Sequence, residues 1–163
     1  MFKKIGVVFI AMALMLAMFP LSVSAINAPE EVWVGDQSKG GLNYPTIQEA
    51  IDAVAVGGTV TVSAGTYNEQ LIIDKALSVL GSGKESTFID GSGVTITQGG
   101  LVRIAGISSG TVILDGFTIR NAPFHNTNQF IIVVAECAAN SRLNITNNIL
   151  QGSGQPPAGK FDY

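Results

Sequence analysis

Residues 44–69, YPTIQEAIDAVAVGGTVTVSAGTYNE, change hydrophobic period within one short stretch. Pro45 disfavours helical geometry at the residue before it, so a boundary is set there. Thr46 is a suitable N-cap, and Glu49 lies at the capping-box spacing from it. Ile47, Ala50, Ile51 and Val54 then recur at helical spacing and form one apolar stripe. The sequence therefore predicts a helix over about 46–56, stopped by Gly57-Gly58. Thr59-Val60-Thr61-Val62 follows with period two, which places both valines on one face of a strand. A short capped helix running directly into a valine strand, with turn residues after it, reads as a lid over the end of a stack of sheets.

Working outward, Val32-Trp33-Val34 reads as a first strand, with Trp33 placed to pack under the helix, and Gly35 to Asn43 as a polar loop. Downstream the chain is strand after strand, each short and ended by Gly, Asn or Ser. The predicted strands are 71–73, 77–80, 88–90, 94–96, 101–104, 112–114, 117–119, 130–135 and 143–145. Several set two inward apolar residues around an outward polar one: Val94 and Ile96 around Thr95, Val102 and Ile104 around Arg103, Phe117 and Ile119 around Thr118. A flat sandwich also alternates in this way. The cassette of short strand, tight turn and short strand (Leu114 to Asn121, Ile145 to Ile149) favours a solenoid, with stacked asparagines free to bond from coil to coil.

Quoted together, TIQEAIDAV, GGTVTVSAGTYNEQ and LIIDKALSVLGSG resemble the opening of the right-handed parallel β-helix proteins of the pectate-lyase and pectinesterase type. The resemblance runs over roughly residues 32–152. It implies an all-β solenoid closed at its N-terminal end by a capping α-helix. It also implies a possible polysaccharide partner, but it carries over no activity, because a fold does not fix a function.

Met1 to Ala25 reads as an export signal: Lys3 and Lys4, an apolar run from Ile5 to Phe19, then Val23-Ser24-Ala25 before the cut. Pro20 interrupts the run, which argues against a retained membrane anchor. Cleavage after Ala25 places the mature protein outside the cell, at its surface or in a periplasm. Residues 26–31 read as a linker, 32–152 as the β-helix, and 153–163 as a loop or linker or a truncated end, with the β-helix expected to be cut short at its C-terminal side. An open last coil would offer its strand edges to a second copy or a partner. The net charge of −3 gives no electrostatic reason for nucleic acid as a partner.

Candidate chemical residues are few. His125 is the single histidine and falls in a loop, so a histidine metal cluster is excluded within this chain. Cys137 is the single cysteine. It allows no internal disulfide and reads as a small core residue. Asp74, Asp90 and Asp115 each close a short strand, and the expected role is a turn bonding its own backbone. Coil stacking at about 4.8 Å could align two of them for calcium, which needs several converging oxygens. Gly81-Ser82-Gly83-Lys84-Glu85 lacks the spacing and the hydroxyl of a phosphate loop, and Asn144 heads an Asn-Ile-Thr sequon on a strand. The resemblance implies catalytic aspartates, an arginine and glutamines in motifs that this chain does not contain. The expectation is therefore no catalytic, cofactor or metal residue here. The leading reading is an exported carbohydrate- or partner-binding β-helix. The alternative is the N-terminal part of a pectin-acting lyase or esterase with catalytic residues beyond Tyr163.

Overall fold

A computed structural model describes residues 28–125 and 128–152. The signal read in residues 1–25 and the tail 153–163 lie outside them.

Strand β1 (Glu31–Val34) leads through a 3-10 turn, Gln37–Leu42, to β2 (Asn43–Tyr44) and helix α1 (Ile47–Ala53). A first coil follows: β3 (Thr59–Val62), β4 (Gly65–Tyr67), β5 (Leu71–Ile73). The second is β6 (Ser78–Gly81), β7 (Thr87–Asp90) and β8 (Val102–Ala105). The third is β9 (Gly110–Asp115) and β10 (Thr118–Arg120), then an inserted hairpin of β11 (Phe124–His125) and β12 (Asn128–Gln129), and finally β13 (Ile132–Ala135). Strands β14 (Ser141–Thr146) and β15 (Ile149–Gln151) begin a fourth.

Corresponding strands pair in parallel and in register, so the coils stack into three sheets. Sheet A runs β14-β9-β6-β3-β1-β2, sheet B runs β15-β10-β7-β4, and sheet C runs β13-β8-β5. The protein is a parallel β-helix. Its core is built from columns of inward residues: Val32, Val60, Val79, Leu114 and Ile145 are successive neighbours in sheet A. All but Ile145 are fully buried. Where Gly81 of β6 meets Gly116 of the next turn, two backbones touch: a β-carbon on Gly81 would sit 2.5 Å from the Gly116 carbonyl oxygen. Only glycine permits that approach, and Gly116 also has φ +83°.

The capping helix forms as read but is shorter than 46–56. Thr46 Oγ1 accepts from the Glu49 N–H at 3.2 Å. The carboxylate at the helix start is that of Glu69, not Glu49: it accepts from the N–H groups of Ile47 and Gln48, each at 2.9 Å. The helix ends at Ala53, ahead of Gly57, because Val54 turns extended (φ −68°, ψ 147°) and buries its side chain. Lys75 Nζ donates to the carbonyls of Asp52 and Val54 at 3.0 and 2.7 Å. One coil thus supplies an anion to the start of α1 and a cation to its end, each matching the helix dipole.

Other expectations need correction. Trp33 does not pack under the helix. It points outward between Asn43 and Thr61 with Lys39 Nζ 4.5 Å from its ring, while Val32 and Val34 take the inward positions. Val94–Ile96 is no strand: Thr97 N–H and Oγ1 donate instead to the Gln70 side-chain oxygen, and the segment is held as a loop. Residues 65–67, expected as turn residues only, form strand β4. The asparagines do not bond one another among the described residues; Asn148 accepts from Phe117 N–H and donates to the Leu114 carbonyl, both in the preceding coil.

Candidate functional site: the outward face of sheet C

In sheet C the inward columns are Leu71–Val102–Ile132 and Ile73–Ile104–Val134, so the outward column between them is Ile72–Arg103–Val133. Strand alternation alone puts Arg103 on that face. Residues 91–101 lead into β8 and residues 121–131 into β13. These long connections enter sheet C, whereas the turns between sheets A and B are mostly short. The face is therefore bordered by loops.

Two glutamines organise its near side. Gln70 Nε2 donates to the carbonyls of Gln98 and Gly100, each at 2.7 Å, and its oxygen takes Thr97, which fixes residues 97–100 beside Arg103. Gln48 closes the upper edge: its amide donates to the Ile72 carbonyl at 3.1 Å and accepts from the Ile72 N–H at 2.7 Å. Arg103 itself is half-buried. The ion pair found among the described residues is Arg120 with Asp90. Among the described residues the Arg103 guanidinium has no ion-pair partner, and its register neighbours, Ile72 and Val133, are apolar.

A second polar cluster lies at the end of sheet B, where Asp90 and Arg120 are register partners. Asp90 is 6% exposed. Its carboxylate accepts from Arg120 Nε at 2.7 Å, Asn121 Nδ2 at 3.1 Å and the Ser92 N–H at 2.9 Å, and its carbonyl accepts from Asn68 Nδ2. Burial pushes its pKa up, but the bonds from Ser92, Asn121 and Arg120 outweigh that and hold it well below the usual carboxylate range. Every oxygen there is engaged within the protein, so the cluster ties coils together.

The three aspartates do not converge. Asp90 ends a strand of sheet B, Asp115 one of sheet A, and Asp74 follows sheet C. Asp115 accepts from Thr146 Oγ1 of the next coil at 2.7 Å. No group of three or more metal-ligating side chains occurs among the described residues. His125 lies in the inserted hairpin, and its side chain is outside the described atoms. Cys137 is half-buried against the core, with Sγ 3.5 Å from the Ala135 carbonyl oxygen. Asn144 stands outward and exposed on β14. No described helix is long and apolar enough to cross a membrane. Alternation in the sequence places Arg103 outward but gives no sign that it has no ion-pair partner among the described residues; Gln48 and Gln70 carry no readable signal at all.

No protein-family model matches the chain, and no curated protein matches it in sequence. Among solved structures, the chain is similar to a pectin methylesterase variant determined in complex with a hexasaccharide. The identity is 22% and the TM-score 0.42, and the match spans 59% of this chain and 31% of that one.

Proposed function

We propose that this β-helix is an exported protein that binds an acidic polysaccharide on the outward face of sheet C. The observation that carries the reading is the Arg103 guanidinium, which has no ion-pair partner among the described residues and is set between Ile72 and Val133 on a face bordered by long loops. A planar guanidinium suits a sugar carboxylate, and the flanking aliphatic side chains suit the apolar faces of sugar rings. The chain as a whole is acidic, so recognition of a polyanion has to be local. Export follows from the signal read in residues 1–25. On this reading no residue of the chain is catalytic.

Affinity electrophoresis in gels containing polygalacturonate, methylated pectin or a neutral glucan tests it. The wild type is retarded most by polygalacturonate, and Arg103→Ala runs unretarded. Equal mobility of both proteins in all three gels rules the reading out. The alternative, the first coils of a pectin-acting lyase or esterase, is supported by the resemblance of residues 46–83 to the opening of such enzymes. It would show as methanol or unsaturated product released by the native exported protein.

A further inference from the structure

Beside the outward column of sheet C, the loop that enters β8 carries two residues without side chains. A β-carbon on Gly99 would stand 3.5 Å from Val133 Cγ1 and 3.6 Å from Arg103 Cδ. One on Gly100 would stand 3.1 Å from Val133 Cγ2 and 3.3 Å from Phe130 Cβ. Val133 therefore flanks both glycines, with the Arg103 stem beside the first and Phe130 beside the second. The bare pair leaves a notch along this row.

The row is held by backbone bonds. Gln70 Nε2 donates to the carbonyls of Gln98 and Gly100 on one side of the notch. On the other, Leu101 N–H donates to the Phe130 carbonyl at 3.0 Å and Val102 N–H to the Ile131 carbonyl at 2.9 Å. Ile131 and Ile132 pack against the core. Phe130 is fixed at its backbone like them, yet it is 44% exposed. An aromatic side chain held open next to a cationic one can serve a ring-shaped ligand that carries a negative charge. The C–H groups on the apolar face of a sugar are weakly positive and suit the negative face of an aromatic ring.

We infer that Phe130 is the stacking platform of the sheet C site. Its ring takes the apolar face of a sugar, Arg103 holds the carboxylate, and the bare Gly99-Gly100 pair gives the sugar room to lie against the sheet. This rests on the polysaccharide reading above and narrows it to a chain of uronic-acid rings, because a polyanion without rings engages Arg103 alone.

Calorimetric titration of the full chain with oligogalacturonate and with poly-glutamate tests it. Phe130→Leu keeps an apolar side chain and removes the ring, and Phe130→Trp keeps an aromatic face. With oligogalacturonate, Phe130→Leu should bind about tenfold more weakly, as expected for an aromatic anchor, and Phe130→Trp should match the wild type. A stacked ring carries no charge, so the factor lost in Phe130→Leu should not change with salt, whereas that lost in Arg103→Ala should shrink as salt rises. With poly-glutamate, Phe130→Leu should behave as the wild type. Oligogalacturonate binding that Arg103→Ala weakens and Phe130→Leu leaves unchanged overturns the platform while the sheet C site stands. A loss in Phe130→Leu that tryptophan does not restore, or that is equal for both ligands, marks a structural role and overturns it as well. No binding of oligogalacturonate by the wild type overturns both the platform and the site.

Discussion

The side-chain amide of Gln48 makes, with the backbone of Ile72, the two hydrogen bonds that another strand would have made: 3.1 Å to its carbonyl and 2.7 Å from its N–H. Strand β5 is the first strand of sheet C, and the helix residue ends the sheet there. A solenoid end needs such a device, because an open edge is a template for aggregation. Gln48→Ala leaves both Ile72 groups without their partner and should cost about 1–3 kcal/mol. Thermal or urea unfolding measures it, and Gln48→Glu, which can accept but not donate, should not restore the loss.

Burial of core columns falls along the stack, and mutational cost should follow. Leu114 is fully buried and its neighbour Ile145 is 36% exposed. Leu114→Ala should cost about 2–5 kcal/mol, the range for a buried leucine. Ile145→Ala should cost clearly less. Similar losses at both sites would mean that Ile145 is covered in solution.

Thr87 carries a buried hydroxyl that finds no partner among the described residues. Thr87→Val keeps the shape and removes the unmet polar atom, so stability should rise by about 1 kcal/mol. A fall in the unfolding midpoint would show that the hydroxyl is satisfied.

Two carboxylates give opposite pH signs. The folded pKa of Asp90 lies below its ordinary 3.8, so its contribution is present above that value and is lost as pH falls toward the folded one. Asp90→Asn should therefore be less stable at neutral pH and show a flatter acid limb. Glu69 is raised above its ordinary 4.5, first by burial and also by nearby Glu49, against the bonds from Ile47 and Gln48. The folded state then holds the extra proton, so this group's contribution is full below 4.5 and declines as pH rises through the folded value. Glu69→Gln should remove that decline. Unfolding midpoints between pH 3 and pH 7 for the two variants check both signs.

Much of this architecture was legible because local chemistry and fold agree. Thr46, the Ile47–Val54 stripe and the valine alternation of 59–62 describe the cap and the first strand without tertiary help. The failures have tertiary causes. Val94–Ile96 alternates like a strand, but Val94 N–H turns back to the Gly91 carbonyl and the next residue, Thr97, is held by the side chain of Gln70, distant in sequence. Glu49 has the capping-box spacing, yet Glu69 reaches the helix start from the first coil. Trp33 looked like a core residue by type, but Val32 and Val34 leave it the outward position. The site was half legible: alternation placed Arg103 outward, whereas its apolar neighbours Ile72 and Val133 follow from the coil register, which brings together residues about thirty positions apart.

Calorimetric titration of oligogalacturonate into the wild type and Arg103→Ala, at low and moderate salt, tests the binding claim most directly. A guanidinium–carboxylate contact of about 1.5–3 kcal/mol predicts that Arg103→Ala binds at least tenfold more weakly and loses much of the salt dependence. Equal affinity in the two proteins, or no heat with either, would contradict a polysaccharide site on the outward face of sheet C.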